Sequence, residues 1–340
     1  MTVRVGVLGA GTVGAALIGR LVADRDAIRL KSGVDLEVKR VAVRDLAKER
    51  PFELKKDRLT DDAMSVVTDP SIDVVVEVIG GLDPAGDLVL AALRSGKPVV
   101  TANKELIATR GQEIAEAARR AGVSVMYEAA VGGGIPVIRP LAESLAGEDI
   151  DTVSGIVNGT TNYILAAMAE EGRSYDDALQ EAQRLGYAET DPADDVSGRD
   201  AAFKTAILAS LAFGERVPPW EVQCEGIEGV SAQDVAEATK RGEVIKLIGS
   251  AQRVNGVVRA TVGPKSLPAG HPLAGISGVT NAIFIEGPSV GRLLFTGPGA
   301  GGQATASAMI GDLIQVASRG RGPRQRSPHD DKPKRQVLHR

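Results

Sequence analysis

The chain opens on VRVGVL, residues 3–8, an apolar run with almost no alternation, which predicts a strand buried on both faces of a parallel sheet. Similar runs recur as LEVKRVAV (36–43), DVVVEVI (73–79), PVVT (98–101) and SVMYEA (124–129). Between them lie stretches of helical periodicity, AALIGRLVADRDAIR, PAGDLVLAALRSG and EIAEAARRAG. Strand and helix alternate over residues 1–130, the pattern of a doubly wound α/β domain. The texture then changes. DTVSGIVNG reads as a strand, TTNYILAAMAEEG as a helix with Thr160 or Thr161 as its cap, and YDDALQEAQRLG as an amphipathic helix burying Ala178, Leu179, Ala182 and Leu185. A helix over 231–240 and four strands, EVIKLIGSAQRV, GVVRATVGPKSL, NAIFIEG and GRLLFTG, complete an α+β domain with an antiparallel-type sheet over 131–299. TASAMIGDLIQVAS is a further helix, so that 300–318 is expected to return to the first domain.

Glycine placement adds chemistry to this frame. Gly9, Gly11 and Gly14 form G-x-G-x-x-G between a predicted strand and a predicted helix, the order required of a Rossmann-type dinucleotide site. There the turn lets backbone approach a pyrophosphate, which rests on N–H groups at the helix start. Past the second strand Arg44 precedes Asp45. Arg44, with Lys48 nearby, suits a ribose 2′-phosphate and so NADP; Asp45 as a 2′-hydroxyl acceptor would favour NAD. Lys104 lies just beyond a strand's C-terminal end, where open α/β sheets bind ligands. GPGAGG, 297–302, can bring more backbone N–H groups to the same cofactor.

The segment GYAETDPADDVSGRDAAFK, residues 186–204, carries five carboxylates and then a lysine. Its first half is broken by Pro192 and Gly198 and reads as loop; from Gly198 to Gly214 it reads as helix. Asp200 and Lys204, four apart, share one helical face above Ile207, Leu208 and Leu211. The acids Glu189, Asp191, Asp194, Asp195 and Asp200 suit a small substrate carrying an ammonium group, although the same spacing is that of a solvated surface ion pair.

Composition narrows the choices. The 340 residues suggest two domains, and 43% hydrophobic with 25% charged content is that of a globular protein. Residues 319–340 hold eight Lys/Arg against two Asp, a charge of +6, so the rest carries −10 of the total −4. An acidic body argues against nucleic-acid binding, and the tail is expected to be disordered. One cysteine, Cys224, and three histidines, two of them in the tail, leave little for a zinc site or a histidine acid. Neither a membrane span nor a signal peptide is read in the sequence, which points to the cytoplasm.

Six segments in this order, GVLGAGTVG, TANKELIA, YEAAVGGGIPVI, NGTTNYIL, GYAETDPADDVSGRDAAFK and GPGAGG, resemble homoserine dehydrogenases, over about residues 3–317. The resemblance implies NAD(P)-dependent interconversion of L-homoserine and L-aspartate 4-semialdehyde, a step toward threonine, methionine and isoleucine. It implies Lys204 as proton donor and acceptor, Lys104 as the second active-site lysine, and Glu189 and Asp200 as substrate holders with Asp195 nearby. It further implies cofactor contacts at Gly11, Thr12, Val13, Lys104 and Gly301, and backbone carbonyls of Glu128, Val131, Gly133 and Ile135 around Na+. Such enzymes are dimers or tetramers built through the substrate domain, so a homodimer or homotetramer is expected. Many bacterial members carry a C-terminal ACT domain, absent from this sequence, so threonine feedback through it is not expected. Burial beside a cofactor is expected to lower a lysine's pKa into a usable range. The alternative is a dehydrogenase of another small amino or hydroxy acid.

Overall fold

The computed structural model describes residues 2–318; the basic tail, 319–340, lies outside the described residues. The first half of the chain runs β1 (Thr2–Leu8), α1 (Thr12–Ala23), α2 (Arg25–Ser32), β2 (Asp35–Ala42), β3 (Leu59–Thr60), α3 (Ala63–Thr68), β4 (Val74–Glu77), α4 (Ala85–Arg94), β5 (Val99–Thr101), α5 (Lys104–Ala121) and β6 (Val125–Met126). The second half runs β7 (Thr152–Ile156), α6 (Gly159–Glu171), α7 (Tyr175–Arg184), α8 (Ala193–Val196), α9 (Arg199–Phe213), β8 (Gln223–Cys224), α10 (Ala232–Lys240), β9 (Glu243–Val254), β10 (Val257–Pro268), β11 (Thr280–Gly287), β12 (Gly291–Pro298) and α11 (Gly302–Ser318).

The first six strands form one parallel sheet in the order β3-β2-β1-β4-β5-β6. The order reverses between β1 and β4, so a ligand crevice opens beyond their C-terminal ends. Helices cover both faces. Val3, Val5 and Val7 pack with Leu17, Ile18 and Leu21 of α1 and with Met309, Ile310 and Leu313 of α11. Val75 and Val99 pack with Val66, Leu88, Val89, Leu93 and Leu106 on the other side. The C-terminal helix thus packs on the first sheet.

The second sheet has the order β12-β11-β7-β9-β10-β8 and is mixed rather than antiparallel, because β8 pairs with β10 in parallel. α6, α9 and α10 cover one face; Leu273, Ala274 and Ile276 cover part of the other. α9 lies so close to β9 that a Cβ on Gly249 would meet Thr205 Oγ1 at 2.1 Å. It also packs on α5, which brings the starts of two lysine-bearing helices together.

Four local expectations are corrected. The helix expected through residue 29 breaks at Asp24, where the apolar stripe of α1 ends, and α2 restarts with Ile28 as its one buried residue. α6 is capped by Asn158, not by a threonine: Asn158 is extended (φ −131°) and its side chain accepts from Thr161 N, while Thr160 and Thr161 already lie inside the helix. The loop before Gly198 contains the short helix α8. On α7, Ala178 and Ala182 are buried as expected, but Leu185 is exposed past the helix end.

Candidate active site

At the crevice, β1 ends in Gly9, whose φ of +101° and closeness to Val78 O (2.8 Å from an added Cβ) require glycine. Gly14 lies on the first turn of α1, where a Cβ would meet Gly9 O at 2.4 Å, so the helix seats directly on the turn. Gly11 faces open space. The first internal bond of α1 runs from Ala15 N to Gly11 O (2.8 Å), which leaves the Thr12, Val13 and Gly14 N–H groups without intrahelical acceptors. The turn at Gly301 (φ +102°) starts α11 in the same way, with Thr305 N donating to Gly301 O. A Cβ on Gly302 would sit 2.9 Å from Thr12 O, so the two helix N-termini converge. Their free N–H groups and dipoles fit a dinucleotide pyrophosphate. Arg44, just past β2, is exposed.

Across the crevice a cleft of about 380 Å³ is walled by Gly80, Gly81, Asn103 and Lys104 on one side and by Glu189, Asp191, Asp194, Asp195, Asp200 and Phe203 on the other. A network missed in the sequence builds the first wall. The buried Glu77 carboxylate accepts from Ile79 N (2.7 Å), Gly80 N (3.0 Å) and Thr101 Oγ1 (2.5 Å). Asn103 donates to Gly81 O (2.7 Å) and caps α5 by accepting from Leu106 N, which sets Lys104 on the first turn.

α9 supplies the second wall. Asp200 is 6% exposed, so the pair with Lys204 is not a solvated surface bridge. Its Oδ2 accepts from Lys204 Nζ (2.6 Å) and Asn158 Nδ2 (2.9 Å), and its Oδ1 meets Lys104 Nζ at 2.9 Å. Burial alone would raise the Asp200 pKa; the two ammonium groups and Asn158 overcome it and hold the carboxyl well below the usual range. Lys204 donates also to Val157 O (2.8 Å) and lies behind Asp200, whereas Lys104 lines the cleft. Burial lowers the Lys104 pKa, yet Asp200, Asp195 and Asp194 outweigh it and the net shift is upward. The expected downward shift is therefore reversed at Lys104, which stays an ammonium. Asp195 accepts from Asn158 Nδ2 (2.6 Å). Glu189 is exposed on the cleft wall, and among the described residues no side chain pairs with its carboxylate.

The loop after β6 behaves differently from its neighbours. The Glu128 side chain, 4% exposed, accepts from the N–H groups of Val137 (2.7 Å), Ile138 (2.8 Å) and Arg139 (3.0 Å) and lies 3.9 Å from Arg139 Nε. Among the described residues no hydrogen-bond donor reaches the carbonyls of Val131, Gly133 or Ile135, all buried. Such orphaned carbonyl oxygens fit a hard monovalent cation.

A family model described as homoserine dehydrogenase matches residues 136–314, and one described as homoserine dehydrogenase, NAD binding domain, matches residues 9–128. The chain belongs to the homoserine dehydrogenase family. It is accordingly an oxidoreductase of amino-acid biosynthesis with an NAD-binding domain. A homoserine dehydrogenase of Synechocystis sp. is 48% identical over 93% of this chain and 73% of its own length. One of Corynebacterium glutamicum is 47% identical over 93% and 72%. The crystal structure of the family member from Thiobacillus denitrificans superposes with a TM-score of 0.89 at 43% identity, covering 97% of this chain and 76% of that one. A hyperthermophilic archaeal member in complex with NADPH gives a TM-score of 0.77 at 30% identity, covering 94% and 98%. Among the described residues no helix is long and apolar enough to cross a membrane.

Proposed function

We propose that the chain interconverts L-homoserine and L-aspartate 4-semialdehyde with NADP as preferred cofactor. The observation that carries this reading is the Lys104–Asp200–Lys204 cluster, set between the crevice of the first sheet and an acidic loop. A nicotinamide held by the turns at Gly11 and Gly301 would supply the hydride chemistry. The chain supplies the rest. Glu189, free and facing the cleft, accepts from the substrate ammonium, with Asp195 beside it. Lys104, held as a cation by Asp200, stabilises negative charge on the reacting oxygen. As an amine Lys204 takes the hydroxyl proton in the oxidative direction, and as an ammonium it returns it in the other: two of its N–H groups are engaged by Asp200 and Val157, leaving the third position, a lone pair in the amine and an N–H in the ammonium, for substrate. A second reading, favoured by Lys104 lining the cleft, gives the proton transfer to Lys104 and leaves Lys204 to hold Asp200.

Arg44 supports NADP because it stands exposed just past β2, where a ribose phosphate would lie. The orphaned carbonyls of Val131, Gly133 and Ile135, with that of Glu128, support a Na+ site between the two sheets. The division into 1–130 with 300–318 as the nucleotide-binding part, and 131–299 as the substrate part, follows the two sheets. A cytoplasmic homodimer or homotetramer completes the proposal. Its test is NADPH formation from L-homoserine by purified protein, with NAD and other hydroxy amino acids in parallel; absence of turnover with homoserine, or faster turnover of another acid, sinks it.

A further inference from the structure

Asn158 was not among the residues singled out from the sequence, yet its amide uses all four hydrogen-bonding positions. Oδ1 accepts from Thr161 N (2.9 Å) and Thr161 Oγ1 (3.0 Å), the cap of α6. That contact turns the NH2 group the opposite way, where its two hydrogens reach Asp195 Oδ1 (2.6 Å) and Asp200 Oδ2 (2.9 Å). The side chain is 5% exposed, so water cannot replace it cheaply. The preceding residue contributes as well, because Val157 O accepts from Lys204 Nζ. One strand end therefore holds the lysine and both acids.

Without the amide, two carboxylates from α8 and α9 would face each other with no donor between them. Asp200 would keep Lys104 and Lys204, but the Asp195 carboxylate has no other hydrogen-bond donor among the described residues and would swing away from Asp200. The charged groups around the amide are Asp195 on α8, Asp200 and Lys204 on α9, and Lys104 on α5. We infer that Asn158 is a positioning residue for the reaction: its helix-capping geometry aims one neutral donor pair at Asp195 and Asp200, presenting the free oxygen of Asp195 to the cleft and holding the carboxylate that organises both lysines. This rests on the dehydrogenase reading above and adds a residue to it.

The capping role and the positioning role can be separated, because Ser and Asp are also good helix caps. Asn158→Ser keeps an acceptor for α6 but removes the donors; Asn158→Asp keeps the cap and places a third carboxylate against the other two. Both are measured as full-length protein for melting temperature, kcat and KM for homoserine, and the pH dependence of kcat. With Asn158→Ser, kcat is expected to fall at least about tenfold and KM for homoserine to rise, with a drop in melting temperature from the two lost donor bonds. With Asn158→Asp, the added negative charge raises the pKa of the neighbouring ammonium groups, so the rise of kcat with pH moves upward by about one unit. A residue that only caps α6 would shift neither kcat nor the pH profile in Asn158→Ser. Wild-type kcat, KM and pH dependence in that variant would overturn the inference, whether or not Asn158→Asp folds. Wild-type protein inert toward homoserine would instead overturn the functional reading.

Discussion

Replacing Lys204 separates its two possible roles, proton carrier and counter-ion. In Lys204→Ala, Asp200 loses the 2.6 Å bond from Nζ but keeps Lys104 at 2.9 Å and Asn158 at 2.9 Å, so the buried carboxylate is not stranded. Losing one charged hydrogen bond at such a site costs about 1.5–3 kcal/mol of stability, and the fold survives a loss of that size. Losing the group that carries the proton costs about 10²–10⁴-fold in kcat, or roughly 3–5 kcal/mol of barrier. Substrate affinity should change little, because Glu189 and Asp195 remain. Lys204→Arg sharpens the comparison. It restores a cation beside Asp200 but carries a proton that it does not release near neutral pH. The expected outcome, from steady-state rates of NADPH formation beside thermal melts, is a large kcat loss in both variants, with melting restored by Arg. If Lys204→Ala keeps more than about a tenth of the wild-type kcat, or Arg restores turnover, Lys204 is not the proton carrier. Loss of turnover in Lys104→Ala under those conditions would then favour the second reading.

The nucleotide turn predicts a split between two glycines. Gly14→Ala forces a Cβ to 2.4 Å from Gly9 O and should cost about 1–3 kcal/mol of stability as well as cofactor affinity, whereas Gly11→Ala meets no atom and should melt like wild type while binding NADP more weakly; equal melting of the two, by calorimetry, contradicts the packing. Arg44→Ala, at an exposed position, should raise the KM for NADP about tenfold or more, leave that for NAD unchanged, and leave melting unchanged; equal effects on both cofactors remove Arg44 from the 2′-phosphate site. Asp312, buried between Glu128 N and Arg139, has its pKa raised to about 6, chiefly by burial. The folded state then binds this proton more tightly than the unfolded one, so the group's contribution to stability falls as pH rises from about 4 to 6, by roughly 2–3 kcal/mol. In denaturant titrations the stability of wild type relative to Asp312→Asn should fall by that amount between pH 4 and pH 7, and a pH-independent difference contradicts the assignment.

The alternation of buried strands and helices made the first sheet legible, because a parallel strand covered on both faces must be apolar throughout and Val5, Val7, Val75, Val99 and Val100 are fully buried. The positions of Gly9 and Gly14 were legible for a related reason: each close approach excludes a side chain, so the glycine is written into the chain. Residues that act through polar contacts left weaker traces. Glu77 closes a run of valines as an isolated acid, and nothing nearby announces that it will gather two N–H groups and the Thr101 hydroxyl. Asp312 sits in an apolar helix, MIGDLI, where its lone charge was the signal, but its partners Glu128 and Arg139 are 184 and 173 residues away.

The lysine–aspartate cluster shows how spacing becomes chemistry only after packing. The four-residue interval between Asp200 and Lys204 sets a shared helical face, and that face is compatible with solvent or with a site. Lys104 decides between them, and it belongs to a helix almost a hundred residues earlier. Because α5 packs on α9, Lys104 reaches the free oxygen of Asp200 and turns an ordinary pair into a carboxylate held between two cations. Burying one negative charge with two positive ones leaves a net positive site at the floor of an acidic cleft. Such a field suits both ends of an amino alcohol undergoing oxidation: the acids at the rim accept its ammonium, and the surplus positive charge below favours the oxygen as it gives up its proton.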